Sequence, residues 1–232
     1  MVRRRLRRAV LLAVAGCLCL AAQGCSYIYW TNFDTGTIGR ANLGGTGANQ
    51  TFITGANSPS GVAVDGSHIY WTNFNGGSGT TIGRANLDGT DANQSFITGA
   101  NGPVGVAVDG SHVYWANGSD SAIGRANLDG TGANQNFIGG ANLPQGVAID
   151  GGHVYWANIG AFTIGRANLD GSGVNQSFIT AASKAGGVAV DSGHVYWTNF
   201  DTGTIGRANL DGSGVDQSFI TGASSPYGLA VR

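Results

Sequence analysis

The sequence predicts an all-β fold, a five-bladed β-propeller of four-stranded antiparallel blades, on three observations. The composition disfavours helices: Gly accounts for 41 of the 232 residues, Glu is absent, and Lys and Met occur once each, so the residues that fill helices at low cost are scarce. A unit of about 41 residues recurs five times, marked by Tyr29-Trp30, Tyr70-Trp71, Tyr114-Trp115, Tyr155-Trp156 and Tyr196-Trp197. Each unit holds four short β-forming segments divided by turn residues, the pattern of a propeller blade.

The four segments can be justified in order. Strand A is Gly-Val-Ala-Val-Asp (Gly61–Asp65, Gly105–Asp109, Gly187–Asp191) or its variants Gly146–Asp150 and Gly228–Arg232. It is short, β-branched and uncharged until its end, as a strand buried between sheets should be. The Asp-Gly-Ser that follows is a tight turn: Asp bonds its own backbone two residues on, and Gly tolerates positive φ. Strand B, His-Val-Tyr-Trp-Thr-Asn, is dense in β-formers. Strand C is Thr-Ile-Gly-Arg-Ala-Asn-Leu, and after an Asp-Gly-Thr-Gly turn strand D is Gln-Ser-Phe-Ile-Thr. The Trp spacings are 41, 44, 41 and 41, and the longer one contains Asn75-Gly76-Gly77-Ser78-Gly79, a loop insertion.

The first unit begins at strand B (Tyr27–Asn32) and the last residues are a strand A (Gly228–Arg232). The tail is therefore expected to complete the first blade and close the ring, which removes free sheet edges. A six-bladed or incomplete propeller is the alternative, and a solenoid of stacked sheets would need polar capping repeats that the sequence lacks.

The N-terminus reads as an export signal spanning residues 1–24. Five Arg crowd residues 1–8, Ala9–Ala22 is almost wholly apolar, and Ala22-Gln23-Gly24 precedes Cys25. A stretch of 14 residues is too short for a bilayer-spanning helix and has the layout of a secretory signal. Cys25 after small residues is the expected lipid-attachment site, with Cys17 a lesser option; acyl chains would hold the protein on a membrane surface. The expected location is therefore a cell-surface or periplasmic lipoprotein, or a freely secreted protein, with residues 25–232 forming one propeller domain. From residue 25 on, six Arg and one Lys face thirteen Asp. An acidic body with dispersed cations lacks the clustered Lys and Arg that nucleic-acid binding requires.

Tyr-Trp-Thr-Asn, Ile-Gly-Arg-Ala-Asn-Leu-Asp-Gly and Pro-x-Gly-Val-Ala-Val-Asp, recurring in order, resemble the YWTD repeats of low-density-lipoprotein-receptor-type propellers. The resemblance covers Tyr27 to Arg232. Bacterial NHL-type and virginiamycin-B-lyase-like propellers are looser relatives. The resemblance implies a propeller, usually of six blades, with protein-binding or scaffolding roles; it transfers no catalytic residue. One departure is that the fourth YWTD residue is Asn in every copy: Asn32, Asn73, Asn117, Asn158 and Asn199.

Residues that could carry chemistry recur once per unit. His68, His112, His153 and His194 open strand B and are expected to bond near the Asp turn rather than to gather round a metal, because equivalent positions on a ring diverge while ligands must converge. Arg40, Arg84, Arg125, Arg166 and Arg207 in strand C invite pairing with the strand A carboxylates. The Trp series reads as inter-blade packing. No nucleophile elbow, P-loop or His-Glu-x-x-His is present, and no metal or cofactor is expected.

A site must break the symmetry. The residues entering strand A and the B-to-C loops differ between units, and in an up-and-down blade both connections open on one face. Loops on a rigid scaffold are where function concentrates. Lys184, Gln145, Tyr227, Leu143, Phe162 and Asp120 are the candidate contact residues. The function this implies is an exported binding or scaffolding module for a protein or glycan partner. The alternatives are a propeller enzyme of lyase or lactone-hydrolase type with a site at the channel mouth, and a purely structural or sensory surface protein.

Overall fold

The computed structural model describes residues 27–231. Residues 1–26 and Arg232, and with them the expected export signal and the expected lipid-attachment residue Cys25, lie outside the described residues.

Among the described residues nineteen strands form five antiparallel sheets in sequence order. The first blade is β1 (Tyr27–Asn32), β2 (Thr37–Asn42) and β3 (Asn49–Thr54). The second is β4 (Pro59–Val64), β5 (His68–Asn73), β6 (Thr81–Asn86) and β7 (Asn93–Thr98). The third is β8 (Pro103–Val108), β9 (His112–Asn117), β10 (Ala122–Asn127) and β11 (Asn134–Ile138). The fourth is β12 (Pro144–Ile149), β13 (His153–Asn158), β14 (Thr163–Asn168) and β15 (Asn175–Ile179). The fifth is β16 (Val188–Val190), β17 (His194–Asn199), β18 (Thr204–Asn209) and β19 (Asp216–Ile220).

The register sorts the connections onto two faces. In the second blade Asn73 pairs with both Pro59 and Thr81 at one end, while His68 pairs with Asn86 at the other. The D-to-A and B-to-C loops therefore share a face, and the A-to-B and C-to-D turns share the opposite one. Strand D carries a bulge in every blade: Ile82 faces Ile97, but Arg84 faces Asn93, so two extra residues on β7 bend the outer edge.

Four apolar clusters lie between successive blades. Between the second and third, Tyr70, Ile82 and Ile97 meet Val106, Val113, Trp115 and Ala126. Trp71, Trp115, Trp156 and Trp197 are fully buried. The glycine of Ile-Gly-Arg is dictated by them. A β-carbon at Gly83, Gly124, Gly165 or Gly206 would fall within the indole of the paired strand B Trp, so only Gly lets that ring lie flat across its own sheet.

The strand C arginines bind differently from the pairing expected. No Arg takes part in an ion pair among the described residues. The Arg84 guanidinium lies 4.0 Å over the Phe96 ring, and its Nη1 donates to the Leu128 carbonyl of the next blade at 3.1 Å. Arg40, Arg125 and Arg166 repeat the bond to Leu87, Leu169 and Leu210. The strand A carboxylate is already satisfied locally: Asp65 Oδ1 accepts from the Ser67 and His68 amides at 2.7 Å each, and Oδ2 from the Tyr70 hydroxyl at 3.0 Å. The histidines take the expected place at this turn, with His68 Nδ1 3.8 Å and His153 Nδ1 3.3 Å from the Asp oxygens.

The expected closing strand is not formed. The first sheet holds three strands, and residues 221–231 belong to none. The tail instead runs beside the fifth blade: a β-carbon on Gly187 would sit 2.5 Å from the Tyr227 carbonyl and 3.2 Å from the Leu229 amide. Thr198 Oγ1 donates to the Tyr227 carbonyl at 3.4 Å, the same step that Thr72 makes to Val104 and Thr31 to Ser60. The tail thus continues the inner row of strands by one place. Completing the first blade would also require the fifth blade to meet the first, yet Leu43 is 65% and Ile220 51% exposed.

Candidate functional site

The varied face is built on one repeated device. The asparagine ending strand B gathers three segments: Asn73 Oδ1 accepts from the Asn57 amide at 2.9 Å, and Nδ2 donates to the Gln94 carbonyl and to Thr81 Oγ1 at 2.8 and 2.9 Å. Asn117, Asn158 and Asn199 receive the equivalent amides of Asn101, Asn142 and Ser183. The position needs a donor and an acceptor on one side chain, which Asn supplies and an ionised Asp cannot. That accounts for the Asn at this place.

Above this platform each D-to-A loop, and the tail at the corresponding place, turns through a left-handed residue: Ser58 (φ 41°), Gly102 (φ 55°), Leu143 (φ 50°), Lys184 (φ 47°) and Ser225 (φ 46°). Phe162 (φ 58°) does the same in a B-to-C loop. Non-glycine residues held there cost on the order of 1–3 kcal/mol each, so three of the candidate residues sit on strained, fixed backbone.

The six candidates do not converge on one point. Lys184 Nζ pairs with Asp201 Oδ1 at 2.9 Å, both half-exposed. Asp120 Oδ1 accepts from the Asn101 side chain. Gln145 Oε1 accepts from the Tyr227 hydroxyl, which brings two candidates together across the inner row of strands. Leu143 and Phe162 project as apolar tips, 49% and 46% exposed. Among the described residues no three His, Cys or Asp side chains gather as a metal site.

Ionisation follows structure in these blades. Burial pushes the hydroxyls of Tyr70, Tyr114 and Tyr155 well above the usual tyrosine range, and the adjacent Asp65, Asp109 and Asp150 reinforce it. Asp150 is held below the usual carboxylate range. Burial opposes this, but the Gly152 amide, the Tyr155 hydroxyl and the His153 amide and ring outweigh it.

A concavity that sequence reasoning missed lies between the first and second blades. It has a volume of about 280 Å³ and is lined by residues of the β3–β4 loop, of β6 and β7, and of the insertion after β5, including Asn57, Asn75, Ser78, Thr80, Gln94 and Ser95. Its one signal in the sequence was the insertion Asn75–Gly79, the only unequal length among the five units. Within it a 3₁₀ turn, Asn75–Gly77, forms the wall.

No family model and no curated protein matches the chain. Solved structures do. A nidogen/laminin complex matches at 24% identity with a TM-score of 0.72, over 88% of this chain and 80% of that one. A streptogramin B lyase matches at 19% identity and TM-score 0.67, over 88% and 69%. A catalytically inactive virginiamycin B lyase from Staphylococcus aureus with quinupristin matches at 20% identity and TM-score 0.66, over 87% and 69%. At these identities the likeness concerns the fold alone: the chain carries a β-propeller fold, as its YWTD-like repeats indicate, similar to those in the nidogen/laminin complex and the lyases.

Proposed function

We propose that the chain is a binding module, exported and lipid-anchored at Cys25, that engages its partner through the D-to-A and B-to-C loop face. The asymmetry between the two faces carries this reading. On one face the Asp turn repeats with the same bonds at Asp65, Asp109, Asp150 and Asp191. On the other, equivalent positions hold Ser58, Gly102, Leu143, Lys184 and Ser225 on the same left-handed backbone. Fixed geometry with varied chemistry suits recognition.

The test is binding of the full chain to peptide and glycan arrays, with a variant carrying Leu143→Ser, Phe162→Ser and Lys184→Ser beside one carrying Ser67→Ala and Ser111→Ala on the opposite face. Loss of binding only in the first variant supports the reading; equal binding by both contradicts it. Incorporation of a labelled fatty acid into the wild type and not into Cys25→Ser tests the anchor, and equal labelling of both would remove it.

A further inference from the structure

We propose that the concavity between the first and second blades binds a neutral saccharide unit. This rests on the reading of the loop face as a binding surface and names a place and a ligand class on it.

The concavity is preformed. Gly77 and Gly79 amides both donate to the Phe74 carbonyl at 2.9 Å, and the Asn75 amide donates to the Asn57 carbonyl at 3.2 Å. Asn75 Nδ2 donates to Ser78 Oγ at 3.1 Å. The far side of the insertion is tied to the third blade, where the Gly102 amide donates to the Gly79 carbonyl at 2.9 Å and Ser119 Oγ to the Gly77 carbonyl at 3.1 Å. Gly76 and Gly77 supply the positive φ values, 66° and 101°, that this path requires. A wall tied on both sides needs little ordering when a ligand arrives.

Its lining selects the ligand chemistry. No charged side chain lines it, so an ionic ligand would shed water without meeting a counter-charge, and an apolar one would strip water from amides and hydroxyls without replacing those bonds. The side-chain amide of Asn57 and the hydroxyls of Thr80 and Ser95 are exposed and make no hydrogen bond among the described residues. Together they offer donors and acceptors in one small space. A ligand whose groups each donate and accept, a polyhydroxylated ring, satisfies such a set.

Phe74, at the foot of the insertion, packs with Phe33 of the first blade at a ring separation of 6.3 Å, a further tie on the backbone that forms the wall. A volume of about 280 Å³ lies just below the range of small-molecule pockets and suits one ring of a chain whose other units pass over the open mouth.

The experiment is isothermal titration of the full chain with maltotriose, cellotriose, chitotriose and a sialylated trisaccharide. At least one neutral trisaccharide is expected to bind. Its affinity is expected to fall about tenfold in Asn57→Ala and, independently, in Thr80→Val. Both positions are exposed, so melting temperatures should hold, and Ser111→Ala on the opposite face should leave saccharide affinity unchanged. Failure of every neutral trisaccharide to bind up to about 10 mM, or preference for the sialylated one, overturns the inference. Loss of saccharide binding in Lys184→Ser but not in Asn57→Ala overturns the place assigned here while leaving the loop face standing as the binding surface.

Discussion

The interfaces inside the blade series and the outer faces of its first and fifth blades use the same residues in different surroundings. Trp71, Trp115, Trp156 and Trp197 have no exposed surface, whereas Trp30 is partly exposed. Ile53, Ile97, Ile138 and Ile179 are at most 2% exposed, whereas Ile220 is 51% exposed. Leu87, Leu128, Leu169 and Leu210 pack on a neighbouring blade and accept an Arg bond through their carbonyls; Leu43 is 65% exposed. Arg207 lies over Phe219 at 4.1 Å but makes no hydrogen bond to another blade among the described residues. A repeat unit therefore does not carry its own core. Stability is shared out at the interfaces, as in other repeat arrays.

The largest expected effect separates the two environments. Trp115→Ala should cost about 3–5 kcal/mol, as for a large core side chain lost from a packed site, while Trp30→Ala should cost less than about 2 kcal/mol because its ring is already partly in water. Chemical denaturation measures both, and equal losses would erase the distinction drawn here.

A smaller contrast sharpens the close approach of ring and sheet. Gly124→Ala places a methyl group where the Trp115 indole lies and should cost about 1–3 kcal/mol by overpacking. Gly110→Ala meets nothing within 4 Å and should stay within about 0.5 kcal/mol of wild type.

The smallest effect is the response to pH. Tyr70, Tyr114 and Tyr155 have raised folded-state values, so their contribution is intact below the unfolded tyrosine value of about 10 and is lost as pH rises beyond it. Asp150 and Asp191 are lowered, so theirs is intact above the unfolded value of about 4 and is lost as pH falls below it. The melting temperature should thus be flat with respect to these groups from about pH 5 to 9. Tyr70→Phe should reduce the alkaline drop; an unchanged drop would detach it from these hydroxyls.

Much of the fold was legible because each repeat states it again. Val-Ala-Val, Tyr-Trp and Ile-Gly-Arg-Ala-Asn occupy the strands expected of them, and the division of loops between faces follows from the antiparallel order alone. The glycine of Ile-Gly-Arg was legible as a recurring residue but not for its reason, which is an indole lying across its own sheet. The Arg partner was misread because a nearby carboxylate was a natural match by charge, whereas Asp65 is filled by two amides and a tyrosine hydroxyl. The tail was placed beside β1 by counting strands, but its contacts run to Gly187 and Thr198. In the candidate site, Lys184–Asp201 and Gln145–Tyr227 join residues 17 and 82 positions apart, separations that no local pattern reports. The concavity at the insertion was visible only as a length difference, since its lining consists of ordinary turn residues.

The claim that four interfaces are filled and the outer face of the first blade is open can be tested most directly by acrylamide quenching of tryptophan fluorescence in the native protein. One quenchable class arising from Trp30 is expected beside four protected rings, and Trp30→Phe should abolish it. Five equally protected tryptophans, or a quenchable class that survives Trp30→Phe, would contradict the account.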